Sequence, residues 1–157
     1  MISVELDDRA VQAALAQLRD HAQDLAPAFR EFGVRWNETA MLKDKTGYHT
    51  LAVSRSMFVD HKTGVSKVTK AGRAPYLLYV ARTILDPDEI RLREGGHGDR
   101  ALYLLARYII RQEVMNLFAV FKEDGKVWVG RTGYQDHRPE YLKSKRGGIL
   151  IYRRPEM

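Results

Sequence analysis

Apolar residues recur at helical spacing near the start of the chain and at strand spacing toward its end. Val11, Leu15, Leu18 and Leu25 form one helical stripe behind Asp7 and Asp8, which serve as N-caps. Pro27 suits the first turn of a second helix carrying Phe29, Phe32 and Trp36. Residues 43–50, Lys-Asp-Lys-Thr-Gly-Tyr-His-Thr, read as a polar connector and set the expected boundary. Beyond it come a short apolar segment at 51–58, a turn at 60–64 and a basic stretch at 66–73. Pro75 then opens a helix whose buried side is Leu77, Leu78, Ala81, Ile84 and Leu85, and Pro87 stops it.

From there the period changes to two. Ile90 and Leu92 alternate with charge, and residues 100–110 and 114–123 are rich in β-branched and aromatic side chains. Asp124-Gly125 signals a two-residue hairpin into a strand at 126–134, and residues 148–152 supply a last strand. Helices first and strands afterwards predict an α+β fold, with N-terminal helices followed by a four- to five-stranded antiparallel sheet. The expected division is a helical extension at 1–45 and a second unit at 51–157.

Charge sharpens that division. Residues 1–50 hold 6 Lys/Arg against 8 Asp/Glu, a balance of −2, whereas residues 51–157 hold 20 against 12, a balance of +8. A basic half points to an anionic partner, the alternative being a solubilising surface. There is no cysteine, so neither disulfides nor thiolate metal sites are available, and compartment stays open. No apolar run approaches the roughly 20 residues of a membrane span, and Met1–Asp8 lacks the basic and apolar regions of a secretory signal. The expectation is a soluble chain with no leader of its own and no membrane partner.

Several segments, in order, carry a resemblance. They are Met57-Phe58, the run Ser66-Lys67-Val-Thr-Lys70-Ala-Gly72-Arg73-Ala-Pro-Tyr76-Leu77, and Asp86-Pro87-Asp88-Glu89-Ile90 after the helix. Further on stand Arg107-Tyr108, Trp128-Val-Gly-Arg-Thr132, Tyr141-Leu142, and Arg146-Gly147 running into Ile149–Arg154. Over about a hundred residues the set resembles the barnase–EndoU–colicin–RelE-like nuclease domain of Mu-type phage head-morphogenesis proteins and polymorphic toxins. Arg91 stands where that family usually has Trp, which alters packing beside the sheet. Met1–Phe32 is separately similar to the start of a phage virion-morphogenesis protein.

The resemblance implies a ribonuclease fold and metal-independent cleavage of RNA, tRNA being the implied target. In that chemistry the ribose 2′-OH attacks phosphorus and leaves a 2′,3′-cyclic phosphate, with no cofactor. It needs a group to take the 2′-OH proton, cations to stabilise the phosphorane and a proton for the leaving oxygen. No His/Asp/Glu cluster in the sequence has convincing metal-ligand spacing. A toxin of this kind, acting in the bacterial cytoplasm or carried on a virion, also implies an acidic immunity protein as partner.

Lys67, Lys70 and Arg73 fall on the family motif just before a helix start, which is itself an anion site; composition alone would make them a solvated basic loop. Arg107 interrupts an apolar run and, by alternation, shares a face with Tyr103 and Ile109. It can clamp a phosphate or form an ion pair with Asp88 or Glu89. Thr132 can hold a phosphate oxygen or the 2′-OH, or be an ordinary strand residue. Tyr76, Tyr134 and Tyr152 can stack bases or pack in the core. His137 is the histidine best placed to move protons, although the family loop there is variable; His61 and His97 lie in turns. Lys145, Arg146, Arg153 and Arg154 are expected along the phosphates. The competing reading is a non-catalytic phage module that binds nucleic acid or another virion protein. A DNA-cleaving enzyme is the third, and no acidic metal cluster supports it.

Overall fold

The computed structural model describes residues 3–4, 39–54, 57, 76–110, 112–138 and 147–155. The two helices expected before residue 37 lie outside them. The elements are β1 (Ser3–Val4), β2 (Ala40–Lys43), β3 (Thr50–Val53), α1 (Leu77–Leu85), β4 (Glu89–Glu94), β5 (Arg100–Ile110), β6 (Glu113–Asp124), β7 (Val127–Asp136) and β8 (Ile149–Arg153). Seven strands follow one another across a single sheet in the order β2-β3-β7-β6-β5-β4-β8, and β1 pairs with β5 off that path.

This architecture corrects the expected one. The described part is mainly β, with eight strands and one α-helix, and the sheet is mixed, because β3 runs parallel to β7 and β1 parallel to β5. Three strands went unforeseen, among them β3, four residues long, which the sequence presents only as part of a short apolar segment. β2 is four residues long and β1 two, too short for alternation to register. The segment expected as a connector is instead the loop of the β2–β3 hairpin. Asp44 organises it: its carboxylate accepts the Thr46 N–H at 3.1 Å and contacts His49 Nδ1 at 2.6 Å, and Gly47 takes φ +77° to close the turn. The sheet thus extends to the N-terminal side of residue 51.

The later elements follow their residues closely. β5 and β6 pair over ten positions from Ala101↔Lys122 to Ile110↔Glu113, and Gly125 at φ +63° turns β6 into β7. Opposite the Val120–Phe121 step of β6 the register shifts, which leaves Arg131 of β7 as the extra residue of a bulge. α1 ends at Leu85, where the Asp86 N–H donates to the Arg82 carbonyl at 2.8 Å. No described helix is long and apolar enough to cross a membrane.

One sheet face carries the main core. Leu102, Leu104, Ala106 and Tyr108 of β5, with Met115, Leu117, Ala119 and Phe121 of β6, pack with Tyr79, Val80 and Ile84 of α1. The helix meets β7 where side chains vanish. A Cβ on Gly133 would lie 2.4 Å from Val80 Cγ1, so glycine here sets how close the helix can come. On the opposite face Leu105, Phe118 and Val120 are buried as well.

Gly133→Ala is therefore expected to destabilise the fold by about 1–3 kcal/mol through overpacking against a stiff, β-branched neighbour. The accompanying fall in Tm is roughly 2–4 °C per kcal/mol. Combining it with Val80→Ala should restore part of the loss. Thermal denaturation followed by circular dichroism measures both, and an unchanged Tm in Gly133→Ala would contradict this helix position.

Candidate nucleic-acid interface

Where α1 gives way to β4, two acidic residues flank Pro87. Asp88 is 3% exposed and is held from three directions. Its carboxylate accepts the Arg107 backbone N–H at 2.8 Å and Arg154 Nε at 3.1 Å, while its own N–H donates to the Leu105 carbonyl at 2.8 Å. Arg154 also reaches Asp86 Oδ2 at 2.8 Å and the Asp86 carbonyl at 2.6 Å, and Lys45 approaches Asp86 at 3.5 Å. Burial pushes the Asp88 carboxyl above its usual value, against the opposing pull of the Arg107 N–H and Arg154. Burial works against the charge on Arg154, yet Asp86 and Asp88 hold its pKa above normal.

This arrangement bears on two of the expected roles. Arg154 is engaged by two aspartates and is not a free phosphate contact. Asp88 receives only the backbone of Arg107, and among the described residues the Arg107 side chain forms no ion pair. Its Nε is buried without a hydrogen-bond partner. Arg107 lines a cleft of about 270 Å³ together with Arg82, Asp86, Asp88, Tyr108 and Arg154. Tyr108 is buried there with its hydroxyl 3.3 Å from Thr83 Oγ1; burial above all pushes it up to about 12, so it stays protonated.

Strand pairing shows what lies beside Arg107. It stands opposite Asn116 on β6, which stands opposite Asp136 on β7. The next row on the same face holds Arg153, Glu89, Leu105, Phe118 and Tyr134, where Tyr134 stacks on Phe118 with centroids 5.2 Å apart. One row further come Arg91, Tyr103, Val120 and Thr132. Thr132 shares the face with Arg107, but β6 separates their strands and they lie two rows apart. At ordinary strand spacing that is about 16 Å, so the two do not meet at one phosphate.

The remaining candidates divide cleanly. Tyr76 and Tyr152 are half-buried and packed against the core. His137 is exposed just past β7, and Arg153 is exposed on β8. Asp136 is held below the usual carboxylate range, chiefly by the Arg138 side chain at 2.7 Å. Lys67, Lys70, Arg73, Lys145 and Arg146 lie outside the described residues. Arg93 sits 4.7 Å over the Tyr103 ring, a cation–aromatic pair on the same face. Among the described residues no three His, Cys, Asp or Glu side chains converge as a metal site would require. Two positions escaped the sequence reading. Asn116 is a polar residue in an otherwise apolar stretch of β6, and Asp88 belongs to a recognised motif whose anchoring role only its partners reveal.

Asp88 generates a pH-dependent expectation. Its folded-state pKa is raised, so its burial as a carboxylate lowers stability above that pKa, and the loss is relieved as pH falls through it. Removing the partner should magnify this. Arg154→Leu is expected to cost roughly 3–5 kcal/mol near neutrality, toward the lower end because the Arg154 side chain is 17% exposed. The deficit should shrink as Asp88 protonates. Urea unfolding of both proteins from acid to neutral pH tests it, and a deficit that grows on acidification would show the opposite linkage.

A family model described as phage-Barnase-EndoU-ColicinE5/D-RelE like nuclease 2 matches residues 27–153. No curated protein and no solved structure matches the chain. The matched span runs from ahead of β2 to the last residue of β8, and so takes in Asp88, Arg107 and the three strands that meet at Asn116. The chain belongs to this family of phage-associated nucleases.

Proposed function

We propose that the protein is an endoribonuclease that cleaves RNA by attack of the ribose 2′-OH, with a structured RNA such as tRNA as substrate. The observation that carries this reading is Arg107, whose guanidinium has no acid partner among the described residues and a buried Nε, at a position that borders the cleft beside Asp88 and Arg154. A cation so placed binds an anion without first breaking a salt bridge, which is what stabilising a phosphorane requires. Arg107 thus stabilises the transition state, and His137, exposed beyond the end of the Asp136 strand, exchanges protons with the 2′-OH and the leaving 5′-oxygen. Arg153 meets phosphates along the face, as do Lys67, Lys70, Arg73, Lys145 and Arg146. Thr132 and Tyr134 meet the substrate beyond the scissile phosphate. The biological role that fits is a toxin acting in bacterial cytoplasm and restrained by an acidic immunity protein that covers the same cations.

Incubation with total RNA and with DNA, in EDTA, tests the substrate. RNA should be cut and its new ends should be 2′,3′-cyclic phosphates. Cleavage confined to DNA, or activity that EDTA abolishes and magnesium restores, would overturn the proposal. Arg107→Ala should lower the single-turnover rate by about two to three decades with RNA affinity little changed. A normal rate per folded molecule removes Arg107 from the site.

Expression in a bacterial host gives a separate expectation. The intact chain should arrest growth and Arg107→Ala should not. Equal growth of both strains at equal soluble expression would argue against the toxin role.

A further inference from the structure

Arg107 is not the only polar group left incomplete at this end of the sheet. Asn116, directly opposite it on β6, is 3% exposed, and its side-chain oxygen is also buried with no hydrogen-bond partner among the described residues. A buried polar atom without a partner destabilises a fold. Here a donor, Arg107 Nε, and an acceptor, Asn116 Oδ1, are orphaned on neighbouring strands of one face. A ligand that presents an acceptor beside a donor would complete both.

A nucleobase edge has that pattern, and the next row supplies what a base also needs. Tyr134 and Phe118 form a stacked pair at an interplanar angle of 23°, one register row from Asn116 and Asp136. Tyr134 is half-buried, and Phe118 beneath it is fully buried. Two residues along a strand span about 7 Å, comparable to the reach from a base ring to its own phosphate. Asp136 is a carboxylate held below its usual pKa by Arg138; it can only accept, so it is not the missing donor for Asn116 Oδ1.

We infer that Asn116, with Arg107 Nε and the Tyr134–Phe118 stack, forms a base-recognition subsite that determines which nucleotide is held beside the cleft. This inference rests on the RNA-cleaving reading for its biological sense, but it is tested by binding alone. Asn116 acts on specificity, through hydrogen bonds to the base edge. Tyr134 acts on affinity, through a ring face that every base can use.

The probes are the four ribonucleoside 3′-monophosphates and inorganic phosphate, titrated calorimetrically against the full chain. The wild type should bind one of the four bases about tenfold or more tightly than the least favoured. Asn116→Leu, close in volume and apolar, should bring the four affinities together while leaving phosphate binding and Tm equal to or above wild type, because it removes an unsatisfied group. A purely structural Asn116 predicts the reverse, a lower Tm with the preference intact. Tyr134→Ala provides a second route and should weaken all four nucleotides by about tenfold without affecting inorganic phosphate. Equal affinities in the wild type, or a preference surviving in Asn116→Leu, would overturn the inference. Base-selective binding that is lost in Asn116→Leu, in a protein that cuts no RNA, would sustain the subsite and reject the ribonuclease reading.

Discussion

The carboxylate of Asp88 sits where four parts of the chain must agree. α1 ends three residues before it, β4 starts one residue after it, β5 offers it the Arg107 N–H, and the segment after β8 brings Arg154. An ionised carboxylate at 3% exposure is tolerable only if its oxygens are occupied, and both are. Its backbone is used as fully, since the N–H binds Leu105 and the carbonyl accepts the Arg154 N–H at 2.7 Å. The edge of β5 beyond β4 is therefore fixed relative to the helix and to the C-terminal strand. Arg107 inherits its position from that arrangement. Asp88 holds the arginine's backbone and leaves its side chain unengaged.

The sheet divides labour between its faces. One is filled by α1 and aliphatic residues, with Tyr79 set edge-on to Tyr108 at 5.3 Å. The other mixes buried apolar side chains with arginines and aromatic rings, and it holds the Arg107–Asn116–Asp136 row. Acidic groups on it are answered locally, Glu89 by Arg91 at 3.0 Å and Asp136 by Arg138. Such pairing leaves the acidic charge on this face locally neutralised. At the far end of β5 the Arg100–Glu123 pair does the same beside Trp128, so free positive charge on β5 is concentrated at Arg107.

Polar groups left incomplete in a folded protein usually mark a place where stability has been given up for binding. Arg107 Nε and Asn116 Oδ1 fit that description, and they face each other across a strong antiparallel ladder instead of lying in a loop. Strands hold such groups more rigidly than loops do, as the proposed base-recognition subsite requires. The cleft and the row are accordingly joined by one residue that belongs to both.

Much of this was readable along the chain. The helix behind Pro75, the strands on either side of Asp124-Gly125, the last strand after Gly148 and the face shared by Tyr103, Arg107 and Ile109 are local consequences of period and turn chemistry. The family was legible too, because its motifs are ordered strings of residues. What the sequence could not show is pairing between distant segments. The parallel joining of β3 to β7 and the assignment of Arg154 to Asp86 and Asp88 depend on contacts across many residues, for which no local pattern exists. The same holds for Asn116: its residue type is visible in the sequence, but only the ladder that sets it opposite Arg107, and the burial that deprives both of water, makes it a candidate for function. Hydrophobic period determines which elements form, whereas the partners of individual charges and amides are decided when the sheet closes and solvent is excluded.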